Sequence, residues 1–272
     1  MAKILIIGDI MGRPGRLALR QVLPIWKKEF EFDESQDVIV GNVENLAHGR
    51  GVTLNTIAEL EALGFDAYTS GNHVFETGPH AQDCFEKYDK IIRPDNYTTN
   101  VYGHGFYRFA KNGQQYLVIN ISGRLFMDLN NRFNSTNPFF ALDKIISDQS
   151  QKDDIIIVDM HAEATGEKVA MGWHLDGRAT IMYGTHTHVT TGDERLLPKG
   201  TAYLTDVGLT GAYDSVLGIS VDAAIGLFLE KHKIKNDIPE TGPAVVNALL
   251  VQTEGNRPVS IKRLQKIVHI ES

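Results

Sequence analysis

Short apolar runs that end in glycine and then in polar side chains recur along the chain. Residues 3–7 form the first, a β-branched and leucine run expected of a strand buried on both faces. It passes into the loop Gly8-Asp9-Ile10-Met11-Gly12-Arg13-Pro14-Gly15. Leu19, Val22, Leu23, Trp26 and Phe30 then recur at helical spacing over 17–30, and Pro24 inside that pattern predicts a kink or a second start. A strand over 37–40 ends in Gly41-Asn42-Val43-Glu44-Asn45, and a helix is predicted over 53–63 with Thr53 as N-cap. The strand over 65–69 ends in Ser70-Gly71-Asn72-His73. Later runs repeat this grammar: 115–121 before Ser122-Gly123-Arg124, 154–160 before His161-Ala162-Glu163, 179–183 before Gly184-Thr185-His186-Thr187-His188, and 201–204 before Thr205-Asp206. A helix is predicted over 221–232. Residues 244–251 and 259–265 read as an antiparallel pair turning at Glu254-Gly255-Asn256.

Strands alternating with helices predict an α/β fold. The late strands, with no helix evident between them, predict a second, more antiparallel sheet packed on the first. No repeat, low-complexity tract or linker divides the chain, so one domain over 1–272 is expected. The most polar interior stretch, 130–138, reads as a surface loop or small lid. A net charge of -7 and a pI near 5.8 argue against binding long nucleic acid, which needs a basic face, but not against a small phosphorylated ligand held by metal ions. No apolar run approaches the roughly 20 residues that span a bilayer, and the apolar N-terminus is too short for a signal peptide. The single cysteine, Cys84, cannot form an intrachain disulfide, which makes a cytoplasmic location the expectation. Cys84 itself reads as a helix-face residue.

Ligands of open α/β sheets bind beyond the carboxyl ends of strands. Those ends carry Asp9, Glu44, Asn45, Asn72, His73, His161, His186 and His188. If 185–189 is extended, His186 and His188 point the same way. Taken singly, Asp9 could shape a turn, Asn45 and Asn72 could be ordinary turn residues, and His161 could be a core histidine. Convergence at successive strand ends favours metal binding instead. The mixed N/O set suits Fe, Mn, Zn or Ni rather than Ca or Mg. Eight candidates suit two ions sharing a carboxylate, with one side chain left for proton transfer.

In order, Gly8-Asp9, Gly41-Asn42-Val43-Glu44-Asn45, Gly71-Asn72-His73, His161 and Gly184-Thr185-His186-Thr187-His188 resemble the motifs of the calcineurin-like metallophosphoesterases. Three departures stand out: Met11 replaces the first motif's histidine, the second motif reads Gly-Asn-x-x-Glu-Asn, and the last begins Gly-Thr-His. Together with residues 44–51, 161–165 and 197–203, these departures resemble the YmdB branch of bacterial phosphodiesterases, over residues 4 to about 218. The resemblance implies two packed β-sheets flanked by helices, an α/β/β/α sandwich. It also implies two transition-metal ions, iron foremost with Mn or Zn possible. Glu44 would bridge them; Asp9, Asn45 and His188 would complete one site, with Asn45 making up for the histidine lost at Met11. Asn72, His161 and His186 would complete the other. His73 would be the general acid in hydrolysis of small cyclic nucleotides, chiefly 2′,3′-cyclic AMP to the 3′-nucleotide, by water activated between the metals. The alternatives are a phosphomonoesterase or nuclease with the same metals, or a regulatory nucleotide-binding protein with vestigial hydrolysis.

Other polar residues carry weaker expectations. His48, Arg13 and Arg124 are each open between substrate contact and surface. Glu163 is expected to orient His161, and Asp206 to act similarly. His80, His104, His174, His232 and His269 read as structural or surface residues. Phe139-Phe140 leaves a homo-oligomer open.

Overall fold

The computed structural model describes residues 1–98, 102–127, 135–229 and 237–271. The first half of the chain forms β1 (Ala2–Ile7), β2 (Asp9–Ile10), α1 (Gly12–Glu29), β3 (Val38–Asn42), α2 (Leu54–Glu61), β4 (Ala67–Thr69) and α3 (Pro79–Lys87). After these come β5 (Phe106–Lys111), β6 (Gln114–Ser122), α4 (Pro138–Gln149), β7 (Ile155–His161), α5 (Thr165–Leu175) and β8 (Ile181–Thr185). The chain finishes with β9 (Arg195–Leu196), β10 (Ala202–Leu204), β11 (Leu209–Ala212), α6 (Val221–Phe228), β12 (Gly242–Glu254) and β13 (Arg257–Ile270). The end of the helix predicted over 221–232 and most of the polar stretch 130–138 lie outside the described residues.

Two sheets stack face to face. One has the order β2-β11-β12-β1-β3-β4, with β13 on the other edge of β12; the second has the order β5-β6-β7-β8-β10-β9. Strand alternation builds the layers. On β1, Ile4 and Ile6 face the second sheet together with Val118, Ile157 and Tyr183. Leu5 and Ile7 face the other way, onto Leu19, Val22 and Trp26 of α1. The outer face of the second sheet packs Leu117, Val158 and Met182 against Leu142 of α4 and Met171 and Leu175 of α5. Helices thus cover both outer faces, giving two mixed sheets between helical layers, as the resemblance implies.

Two local expectations change. The second sheet is mainly parallel: β6, β7, β8 and β10 run together, and only its edge strands β5 and β9 are antiparallel. Its crossover helices are hard to see in sequence because the buried face of α5 includes Lys168 and Gly172 beside Met171 and Leu175. Helix α1 begins at Gly12 and continues through Pro24. Pro24 is exposed, so water can satisfy the carbonyl its ring leaves free, while the buried stripe Ala18, Leu19, Val22, Leu23 and Trp26 holds the helix. Thr53 caps α2 as expected, in a reciprocal capping box with Thr56. Among the described residues no helix is long and apolar enough to cross a membrane. Asn42 Nδ2, at the end of β3, donates to Asp159 Oδ2 on β7 at 3.1 Å, so strand ends of both sheets meet along one edge.

Candidate metal centre

Two groups of side chains meet on that edge. Ligand-capable atoms of Glu44, His161 and His186 lie within 4.8 Å of one another, as do those of Asp9, Glu44 and His188. Glu44 belongs to both. Two amide oxygens join them: Asn72 Oδ1 is 3.0 Å from His161 Nε2, and Asn45 Oδ1 is 3.2 Å from His188 Nε2. Asn45 Nδ2 donates to the Gly49 carbonyl at 2.9 Å, which turns the amide oxygen towards His188. Every expected metal ligand is therefore at one place. Gly71 makes the closeness possible, because a Cβ there would overlap the His161 ring and Glu44 Oε2.

The hydrogen bonds fix which ring nitrogens face the centre. His188 Nδ1–H donates to the Leu217 carbonyl at 2.9 Å, leaving Nε2 towards Asn45. His186 Nε2–H faces the Glu163 carboxylate at 3.1 Å, leaving Nδ1 towards His161. At His161 the tautomer is set through Thr185. The Thr185 hydroxyl spends its hydrogen on Asp159 Oδ1 at 2.7 Å, so its oxygen accepts His161 Nδ1–H at 2.9 Å. His161 Nε2 is then left between Glu44 Oε2 (3.1 Å), Asn72 Oδ1 and His186 Nδ1 (3.1 Å). His161 and His188 thus aim Nε2 at oxygens that accept, and His186 aims Nδ1 at His161 Nε2. Asp9 Oδ1, wholly buried, has no hydrogen-bond partner among the described residues. Such a set fits cations, and its N/O composition fits transition metals.

Electrostatics point the same way. Burial raises Asp9 to about 7 against the pull of His188 and His161. Burial alone would lower His161, but Glu44, Asp9 and Asp159 together raise it to about 9. Burial would raise Glu44, yet His161, His73 and His186 hold it well below its ordinary value. Burial, with His161 and His188 nearby, lowers His186 to about 3. The site therefore draws positive charge onto His161 Nε2, where a metal ion would displace the proton.

The His-x-His segment corrects the expected geometry. Strand β8 stops at Thr185, and His186 and His188 take left-handed backbones with φ of 96° and 62°. A buried clamp holds them there. Asp206 Oδ2 accepts from Lys168 Nζ (2.6 Å), Thr187 N–H (3.2 Å) and Thr187 Oγ1 (2.8 Å), while Lys168 also donates to the Thr185 carbonyl. Asp206 thus braces the loop rather than an imidazole, and Thr187 turns away from the centre onto it. Glu163 contacts His186, not His161, whose partner is the Thr185 hydroxyl.

His73 stands at the rim, its backbone N–H donating to Glu44 Oε2 at 3.1 Å. Its Nδ1 is 2.7 Å from Glu76 Oε1, and Glu76 Oε2 accepts from Arg50 at 3.2 Å. Glu76, Arg50, Asp159 and Thr185 escaped the sequence reading as site residues. The spacing of Glu76 three residues after His73 was the available signal. Arg13 pairs with Glu240, and Arg124 lies beside a separate cavity of about 640 Å³ lined by Phe139 and Glu167. His48 is exposed, with a left-handed backbone.

A family model described as YmdB-like protein matches residues 5–264. The chain is 35% identical over 260 residues to the 2′,3′-cyclic-nucleotide 2′-phosphodiesterase of Bacillus subtilis (strain 168), covering 96% of this chain and 94% of that protein. Its fold matches a crystal structure of a hypothetical protein from Thermus thermophilus, at 35% identity and a TM-score of 0.87, over 97% of this chain and 99% of that one. A Mycoplasma pneumoniae structure described as a novel phosphatase matches at 29% identity and a TM-score of 0.89, over 98% and 93% of the two chains. The chain belongs to the YmdB-like branch of the calcineurin-like metallophosphoesterases, metal-dependent hydrolases related to bacterial 2′,3′-cyclic-nucleotide phosphodiesterases.

Proposed function

We propose that the protein is a phosphodiesterase of small cyclic nucleotides, chiefly 2′,3′-cyclic AMP, and releases the 3′-nucleotide. The observation that carries this reading is the convergence of three imidazole nitrogens on Glu44, beside Asp9 Oδ1, which has no hydrogen-bond partner among the described residues. The name of the Bacillus subtilis relative supports the substrate. In this reading Asp9, Glu44, Asn45 and His188 hold one metal, and Glu44, Asn72, His161 and His186 the other. Iron is the metal assigned; the mixed donor set also takes Mn or Zn. When bound, the pair of ions supplies Lewis-acid polarisation of the phosphoryl oxygens and a water acidic enough to attack near neutral pH.

The chain's own groups do the rest. Glu76 accepts the Nδ1 proton of His73 and is itself held by Arg50, which orients the ring and leaves Nε2 to protonate the departing oxygen. With the ribose 2′ oxygen leaving, the phosphate remains on the 3′ oxygen. The cleft over the centre, about 270 Å³, suits one mononucleotide rather than a long strand. A phosphomonoesterase is the second reading, favoured by the phosphatase description of the Mycoplasma pneumoniae relative.

A substrate panel on metal-loaded protein tests the choice. Turnover of 2′,3′-cyclic AMP to adenosine 3′-phosphate, without turnover of simple phosphomonoesters or single-stranded DNA, is expected. Hydrolysis of phosphomonoesters alone would favour the second reading, and nucleotide binding without turnover a regulatory role.

A further inference from the structure

The cleft over the metal centre has two chemical characters. Its charged groups, Arg50, His73 and Glu163, gather near His186 and Glu44. Its apolar groups, Met11, Leu217 and Ile219, gather beside His188 and Asn45. We propose that Met11, Leu217 and Ile219 form the subsite that takes the substrate's nucleobase. This rests on the cyclic-nucleotide reading and adds to it where the base lies.

The apolar wall is built rather than incidental. Met11 is 6% exposed and fixed in place: Gly218, at φ 92°, approaches its sulfur so closely that a Cβ there would overlap it. The residue that replaces a histidine of the superfamily motif therefore contributes a rigid apolar floor. Leu217 is 48% exposed, although an isolated leucine gains nothing from facing water. Its backbone is left-handed, at φ 54°, a conformation that leucine rarely adopts and that persists where surrounding contacts enforce it.

Those contacts are visible. The Leu217 carbonyl accepts His188 Nδ1–H at 2.9 Å, Gly218 N–H donates to Ser215 Oγ at 3.0 Å, and Val216 and Ile219 close a backbone bridge. The turn holds Leu217 towards the cleft while tying it to His188. One imidazole thus separates the apolar wall from Asn45 and the shared carboxylate. A nucleotide has a matching polarity, with an uncharged flat base joined through ribose to a charged phosphate. With phosphate at the centre, the base lies along Leu217 and Ile219, over Met11.

The test compares two ligands that differ only in the base. Equilibrium dialysis measures adenosine 3′-phosphate and methyl β-ribofuranoside 3-phosphate, in which a methoxy group takes the place of the base, on metal-loaded wild type, Leu217→Asn and Ile219→Ala. Asparagine suits the left-handed backbone, so Leu217→Asn keeps the turn and removes the apolar surface. Wild type should bind the nucleotide roughly tenfold more tightly than the sugar phosphate. Leu217→Asn should erase most of that preference, and Ile219→Ala part of it. Equal binding of both ligands by wild type, or equal weakening of both by the variants, overturns the proposal. Hydrolysis on the same samples separates the two claims: this binding pattern without turnover of 2′,3′-cyclic AMP sinks the phosphodiesterase reading and leaves the subsite standing.

Discussion

Replacing Thr185 by valine probes how the protein presets His161. Thr185 is wholly buried, and its hydroxyl holds three groups: it donates to Asp159 Oδ1, accepts His161 Nδ1–H, and lies 3.3 Å from Asn42 Nδ2. Valine keeps the shape and removes all three. His161 Nδ1–H is left without an acceptor, and Asp159 Oδ1 loses its Thr185 donor. A buried polar group left unpaired costs about 1–3 kcal/mol. The ring can relieve its share by moving its proton to Nε2, where it opposes a metal. Loss of a partner behind a ligating imidazole weakens metal affinity by roughly ten- to a hundredfold, or about 1.4–2.7 kcal/mol, which agrees with one unpaired group. Thr69→Val is the matched control. Thr69 also donates to Asp159, on Oδ2, but has no bond to His161. Chelator competition should show the affinity loss in Thr185→Val and less than a twofold change in Thr69→Val, although both lose stability in urea. Ring ¹⁵N shifts of His161 in metal-free protein above pH 9, where the ring is neutral, should show the altered tautomer only in Thr185→Val. Equal metal weakening in the two variants would refute this role for Thr185.

Three further outcomes follow from the site. His73→Ala should retain both metals by elemental analysis yet lose roughly two to four orders of magnitude in kcat, the worth of a general acid; metal depletion would make His73 a ligand instead. Asn45→Ala should empty the Asp9–His188 site selectively, and full occupancy in that variant would remove Asn45 from the ligand set. The stability of metal-free protein should fall as pH rises from 7 to 9. His161 holds its proton more tightly folded, at about 9, than unfolded, at 6.5, so its contribution is complete below 6.5 and is lost as pH rises through 9. Asp9, raised from 3.8 to about 7, acts in the same direction at lower pH, whereas His186, lowered to about 3, acts only below 6.5. Melting temperatures across that range, with and without added metal, check this; a flat metal-free profile contradicts it.

The strand ends were legible because each buried strand of a parallel sheet is a short apolar run that must stop where polar chemistry begins. Asp9, Glu44, Asn45, Asn72, His161, His186 and His188 all sit at such stops, and the structure brings them together. What stayed hidden was the support around them. Asp159 lies inside the run Ile155–His161, where alternation alone does not distinguish a buried carboxylate from a surface one. The left-handed backbones of His186 and His188 have no glycine to announce them; they depend on Asp206 and Lys168, distant in sequence. Helix α5 hid because its inward lysine and glycine blur the apolar stripe, and with α4 unrecognised as well the second sheet read as more antiparallel than it is.

The central claim is that Glu44 belongs to two metal sites at once, and metal stoichiometry tests it most directly. Wild type loaded with iron and desalted should hold two ions per chain by elemental analysis. Glu44→Ala should lose both together, since its carboxylate is common to the His161–His186 and Asp9–His188 groups. A wild type that saturates at one ion, or a Glu44→Ala variant that keeps one ion with undiminished affinity, contradicts the shared-carboxylate centre.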